Sequence, residues 1–155
     1  NGELVATDVT ISNSGTSGVF SNNSTVNINT LSIDQAGEYG VNIVGDSSNP
    51  SSTQLNGLSI DNATLSGLRL QYTNGDLINS IISNNLEYGI ECTEATMASC
   101  GGNILNNNLL GEQTGCDTAC GEEANPVIDP PDDDTGSTDT GTDTGSTDTG
   151  SGDSG

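Results

Sequence analysis

Asp34 and Asp61 are the residues whose type and spacing come nearest to a reaction. Each follows an isoleucine, Ile33 or Ile60, that marks equivalent points of a repeat, so the two occupy one outward place on successive repeats. If those repeats stack as strands, about 5 Å separates the pair. Two carboxyls at that spacing serve retaining glycosidases as acid and nucleophile, and two hard oxygen donors also suit calcium. Glycoside chemistry further requires one carboxyl to stay protonated in an apolar cleft. The neighbours here are Ser12, Ser32, Ser59 and Ser83. The pair therefore reads as a solvated face: no catalytic residue is assigned, and Asp34 and Asp61 are candidates for a calcium contact only.

The remaining chemistry-bearing groups are few. Arg69 is the one basic residue in a chain of net charge −21 that has no histidine. It shares an outward column with Phe20, Asn42 and Glu91, which makes an ion pair with Glu91 its expected role. Tyr39 and Tyr88 sit in Glu-Tyr-Gly triplets on alternate repeats, as shields of the repeat edges or a surface on which sugar rings stack. Four cysteines, Cys92, Cys100, Cys116 and Cys120, point to disulfides and an oxidising compartment. Cys92 with Cys100 and Cys116 with Cys120 is the expected pairing, closing the last repeat and a cap after it. Gaps of seven, fifteen and three residues between the cysteines lack the paired short knuckles of a zinc site.

These groups are positioned by a repeat. Ile11, Ile33, Ile60, Ile82 and Leu105 recur at intervals of 22, 27, 22 and 23 residues, and a glycine follows seven places after each of the first four: Gly18, Gly40, Gly67 and Gly89. A period of this size means units whose apolar faces are covered only by stacked neighbours. Within each unit apolar and polar residues alternate, as in Leu31-Ser32-Ile33 and Val41-Asn42-Ile43, which is the period of a half-buried strand. The Asn, Ser, Thr and Gly between them favour turns over helix. Two places past each marker stand Asn13, Gln35, Asn62, Asn84 and Asn107. This column is expected to form a ladder of amides bonded along the stack, at a bend whose left-handed backbone asparagine tolerates.

The form apolar-x-Ile-polar-Asn-x-x-x-x-Gly-apolar-x-apolar, clearest in Leu58-Ser59-Ile60-Asp61-Asn62 followed by Gly67-Leu68-Arg69-Leu70, resembles the right-handed parallel β-helix repeat of the pectate-lyase-like superfamily. The resemblance covers roughly residues 3 to 117 and implies an all-β solenoid of about five coils. It implies little about activity, because the fold carries many. Members that cleave polysaccharides use clustered carboxylates with a basic residue, or calcium with an arginine or lysine base, and few such parts are present here. At the strand spacing, five coils make a rod about 24 Å long. Asn1-Gly2-Glu3 runs almost directly into the first strand, which raises two expectations: further coils upstream, or head-to-tail docking of copies on an open end.

The expected organisation is a parallel β-helix over 1–117, a disulfide-tied cap and exit segment over 118–131, and a disordered linker over 132–155. No apolar residue follows Ile128, and Thr-Gly steps recur among Asp and Ser to the end. Such a segment buries too little to offset chain entropy, and its like charges extend it. It is similar to linkers between exported bacterial repeat domains and their anchors. Acids number 14 in residues 1–128 and 8 in residues 129–155, so the body is acidic without the tail. Nucleic acid is excluded as a partner, since phosphates need Lys and Arg. No transmembrane stretch occurs in the sequence. The longer connections at Gly45 to Ser52 and Thr93 to Ser99 are the expected contact surface.

The reading is an extracellular or cell-surface structural or adhesive module, a spacer, adhesin or fibre subunit without catalysis of its own. A surface glycan or protein, or a second copy, is the expected partner. The alternative is the C-terminal part of a carbohydrate-active β-helix enzyme whose active residues lie elsewhere.

Overall fold

The computed structural model describes residues 2–121 and contains strands only. Coil one is β1 (Gly2–Ser14) and β2 (Val19–Asn22); coil two is β3 (Ser24–Ala36) and β4 (Val41–Val44); coil three is β5 (Ser51–Asp61) and β6 (Leu68–Gln71). Coils four and five each split the long strand in two. Coil four is β7 (Thr73–Ile78), β8 (Ile81–Ser83) and β9 (Tyr88–Thr93), and coil five is β10 (Thr96–Ser99), β11 (Ile104–Asn106) and β12 (Gly111–Thr114). One parallel sheet runs β1-β3-β5-β7-β10, with β8 and β11 continuing it, and a second runs β12-β9-β6-β4-β2. The result is a parallel β-solenoid of about five turns. The cap, exit segment and tail expected beyond residue 121 lie outside the described residues.

The marker column stacks in register through all five coils, and the register shifts once, at the bulge between Met97 and Ser99. Ile11 pairs with Ile33, Ile33 with Ile60, Ile60 with Ile82, and Ile82 with Leu105. Ile33, Ile60 and Ile82 are fully buried and Leu105 nearly so, whereas Ile11, on the outermost rung, is half-buried. A second inward column climbs through Val41, Leu68 and Ile90 on the smaller sheet. The two columns face each other and form one aliphatic core.

Left-handed corners bend the chain into coils, two in every coil and a third in every coil but the second, where the Gly45–Pro50 connection takes its place. Asn13, Gln35, Asn62, Asn84 and Asn107 all have φ between 55° and 60° and make one corner. Asp8, Thr30, Gly57, Asn79 and Gly102 make another, again with positive φ throughout. Asn23, Tyr72, Glu94 and Gly115 make the third. Each non-glycine residue in that conformation costs of order 1 kcal/mol, which the ladders on either side offset.

The repeated glycines answer a different need, close approach. A Cβ on Gly40 would lie 2.3 Å from Ile60 Cγ2 and 2.6 Å from the Gly67 carbonyl; one on Gly67 would lie 2.4 Å from Ile82 Cγ2. Gly18, Gly40 and Gly67 thus make room for the marker isoleucine of the next rung, whereas a Cβ on Gly89 would meet the Glu112 carbonyl and the Asn108 side chain.

The cysteines pair otherwise than expected. Cys92 bonds Cys116 and Cys100 bonds Cys120, over sequence separations of 24 and 20 residues. Their Cα atoms are 4.8 and 4.7 Å apart, about one strand spacing. Both bonds run along the axis. Cys92 lies in β9 of coil four and Cys100 follows β10 of coil five, in different columns, so parallel stacking sets each instead beside a residue about one coil later. The bonds fasten the 115–121 segment over the last rung, where Asp117 accepts from the Met97 amide and Thr118 donates to the Met97 carbonyl.

Two stability outcomes follow. Gly40→Ala should lower unfolding free energy by about 1–3 kcal/mol, the cost of overpacking, while Gly15→Ala, whose Cβ would meet nothing within 4 Å, should change it by less than about 0.5 kcal/mol; denaturant melts of the two variants decide this. Replacing Cys92 and Cys116 together by Ala should cost about 2–4 kcal/mol, read from the same melts under non-reducing conditions.

Candidate functional site

The Asp34–Asp61 pair sits on the outward face of the large sheet, immediately before the asparagine corner. Ser12, Asp34, Asp61 and Ser83 follow one another in register. Asn62 Nδ2 donates to Asp34 Oδ1 at 3.0 Å and to Asp61 Oδ2 at 2.7 Å. Asp61 Oδ1 also accepts from Ser83 Oγ at 3.0 Å and from Asn84 Nδ2 at 2.6 Å. The carboxylates are thus solvated by fixed amides and a hydroxyl. These donors carry protons toward the very lone pairs that a cation would need, and no cluster of three or more metal-ligating His, Cys, Asp or Glu occurs among the described residues.

The asparagine column therefore works differently from a plain amide ladder. Asn62 and Asn84 reach to the preceding coil, but to its carboxylates. Amide-to-amide rungs occur elsewhere: Asn56 donates to Asn29 at 2.9 Å and Asn79 to Asn56 at 3.0 Å on the exposed sheet face. A buried rung joins Asn85 Nδ2 to Asn108 Oδ1 at 2.8 Å. Asn29 and Asn56 are in register, a spacing that the repeat length could have revealed, whereas Asn79 stands one place past Ile78, the register partner of Asn56, and reaches Asn56 from the adjoining corner.

A second cluster lies on the small sheet. Arg69 Nε stands 3.6 Å from Glu91 Oε1, one rung on, each side chain 26% exposed. At that separation the contact is an ion pair rather than a hydrogen bond, and the guanidinium finds its bond through Nη2 to Gln71 Oε1 at 3.0 Å. The guanidinium carbon lies 5.3 Å from the centre of the Tyr39 ring, within cation–π range. Ser66 Oγ donates to Glu91 Oε2 at 3.0 Å. Tyr39 thus packs against Arg69, and Ser66 takes its place on the next coil. Burial, with the Glu91 charge adding to it, pushes the Tyr39 phenol above its usual range, and Arg69 opposes the shift.

The two long connections differ from one another. In Gly45–Pro50 the Asp46 carboxylate accepts from Ser48 N, Ser48 Oγ and Asn49 N, and these bonds, those from Ser48 foremost, hold it below the ordinary carboxylate range. The other is no loop over most of its length, since Thr96–Ser99 is β10. Its strand is hidden from sequence by a bulge between Met97 and Ser99.

Two shallow depressions of about 350 Å³ each mark the surface. The first is lined by Asn27, Gln54 and Asp76, which are in register, and by the Asn29–Asn56 rung. The second is lined by Glu94, Thr96, Gly115 and Asp117 beside the cap. Among the described residues no helix is long and apolar enough to cross a membrane. Comparison with protein families, with characterised proteins and with solved structures gives no match to this chain.

A raised phenol pKa means that the folded state favours the neutral form. Its contribution to stability is whole below the ordinary value of 10.0 and is withdrawn as pH rises through the raised value. Ultraviolet titration, differenced against Tyr39→Phe, should show Tyr39 ionising above the ordinary tyrosine range, and Glu91→Gln should lower its midpoint by removing the neighbouring charge.

Proposed function

We propose that the chain is an extracellular or cell-surface module whose work is structural and adhesive: a stiff rod that holds its faces at a fixed spacing and carries no catalysis of its own. The observation that carries this reading is the pair of axial disulfides that tie coils four and five to the segment after β12. Such bonds persist in oxidising compartments and are rare in the cytosol. The acidic body suits a soluble surface that repels anionic polymers and membranes. On this reading the tail is a charged tether between the rod and whatever anchors it.

A carbohydrate-active enzyme is the competing reading, favoured by the in-register placement of Asp34 and Asp61. Against it stands the environment, where amides and a serine rather than an apolar cleft surround the pair.

Labelling of intact source cells with a membrane-impermeant reagent, followed by mass spectrometry without reduction, should find the chain outside the cell with both disulfides formed. Recovery from the cytosol with four free thiols would overturn the proposal. A panel of neutral and acidic polysaccharides should show no turnover, and turnover abolished by Asp61→Ala would establish the enzyme instead.

A further inference from the structure

Coils four and five exchange the usual sides of polar and apolar residues. Four buried polar residues, Ser80, Asn85, Asn103 and Asn108, are each followed at once by an exposed aliphatic: Ile81, Leu86, Ile104 and Leu109. Leu86, Leu109 and the adjoining Leu110 are 55, 71 and 57% exposed. In the earlier coils the place of Ile81 and Ile104 belongs to Thr10, Ser32 and Ser59. The place of Leu86 and Leu109 belongs to Gly37 and Thr64.

The exchange is held by directional bonds. Ser80 Oγ accepts from the Leu58 amide at 3.0 Å, Asn103 Oδ1 from the Ser80 amide at 3.0 Å, and Asn85 Oδ1 from the Ala63 amide at 2.9 Å. Asn108 Nδ2 donates to the Ile82 carbonyl at 3.2 Å. A slip of one residue would turn the aliphatics inward, and these bonds forbid it. Aliphatic side chains are thus kept outside on two adjacent rungs, as two stripes on either side of the asparagine corner. The five side chains are each 47–71% exposed, a grouping on adjacent rungs that singly scattered surface residues do not show.

The charges beside the stripes decide what fits them. Glu87 follows Leu86, and Glu112, one of whose carboxylate oxygens accepts from Asn108 Nδ2 at 2.7 Å, lies two residues past Leu110. The one cation, Arg69, is engaged with Glu91 and Gln71. A second copy of this chain would bring a like-charged rim and a net charge of −21 against the same surface, and anionic lipid meets the same repulsion. We infer that this face of coils four and five docks a basic amphipathic polypeptide segment, with aliphatic side chains on the two stripes and Lys or Arg over the acidic rim. The inference stands apart from the proposed location and from the absence of catalysis.

The test is titration of the full chain with a helical Leu/Lys peptide whose leucines recur at i, i+3, i+4 and i+7, beside a scrambled peptide of the same composition and one with Glu for Lys. The scrambled control is needed because so acidic a chain attracts any cation. The amphipathic peptide should bind at least about tenfold tighter than the scrambled one, and Leu86→Ser/Leu109→Ser should remove that advantage. Ile81→Ser/Ile104→Ser is the second variant, and circular dichroism of both should match the parent because the sites are exposed. Equal binding of the two basic peptides, or an advantage that survives in both variants, would overturn the inference. So would sedimentation showing a dimer that the same variants dissolve, or binding to neutral phosphatidylcholine vesicles that they abolish.

Discussion

In-register stacking of parallel strands is the constraint from which the rest of this structure derives. Once Ile33 lies over Ile11 and Ile60 over Ile33, every other residue of one coil is fixed beside its counterpart on the next, about one strand spacing away. The glycines are a direct result. A rung spacing this small leaves no room for a Cβ between the Gly40 backbone and the Ile60 side chain, so at Gly18, Gly40 and Gly67 the residue seven places past the marker is dictated by the marker of the following coil. The disulfides are another result. Any two cysteines about one coil apart on the same corner are already within bonding reach, and crosslinking them requires no distortion of the stack.

The features visible in the sequence are those in which stacking demands one residue type. Isoleucine recurs because the interior must be filled, glycine because it must be vacated, and their spacing conveys the solenoid and the count of coils. The asparagine corner was legible for the same reason, since amide side chains fill all five of its places. The corner built from Asp8, Thr30, Gly57, Asn79 and Gly102 was not. There the stack demands only a conformation, positive φ, and several residue types meet it, so no column of identical letters betrays it. The disulfide pairing failed for a related reason: proximity in sequence was weighed above proximity along the axis. Separations of 24 and 20 residues are close to the repeat length and carried the true pairing all along.

The carboxylate pair shows how far a column can mislead about chemistry. Sequence placed Asp34 and Asp61 on adjacent rungs, and they are there. What it could not supply was the state of their lone pairs, which depends on the corner residues next to them. Asn62 turns its amide back across the rung to both carboxylates, and Asn84 does the same for Asp61. The acids, read from sequence as a solvated face and as candidates for a calcium contact only, and the asparagines, read as an amide ladder, form one network.

The interior also changes character along the rod. In coils two and three one pair of inward places holds Leu31, Ala36, Leu58 and Ala63, and the gain from burial there is large but indifferent to small sliding of one rung over the next. In coils four and five Ser80, Asn85, Asn103 and Asn108 take those places, so hydrophobic gain is lost where the stack ends. Hydrogen bonds to backbone groups of adjacent rungs replace it, and they tolerate no slip. The disulfides lie in the same two coils and act in the same sense. Polar keys and covalent ties fix the register of these rungs more firmly than further leucines would. That fixed register is also what leaves Ile81, Leu86, Ile104 and Leu109 facing outward, so the device that secures the end of the rod and the apolar stripes on its surface have a single cause.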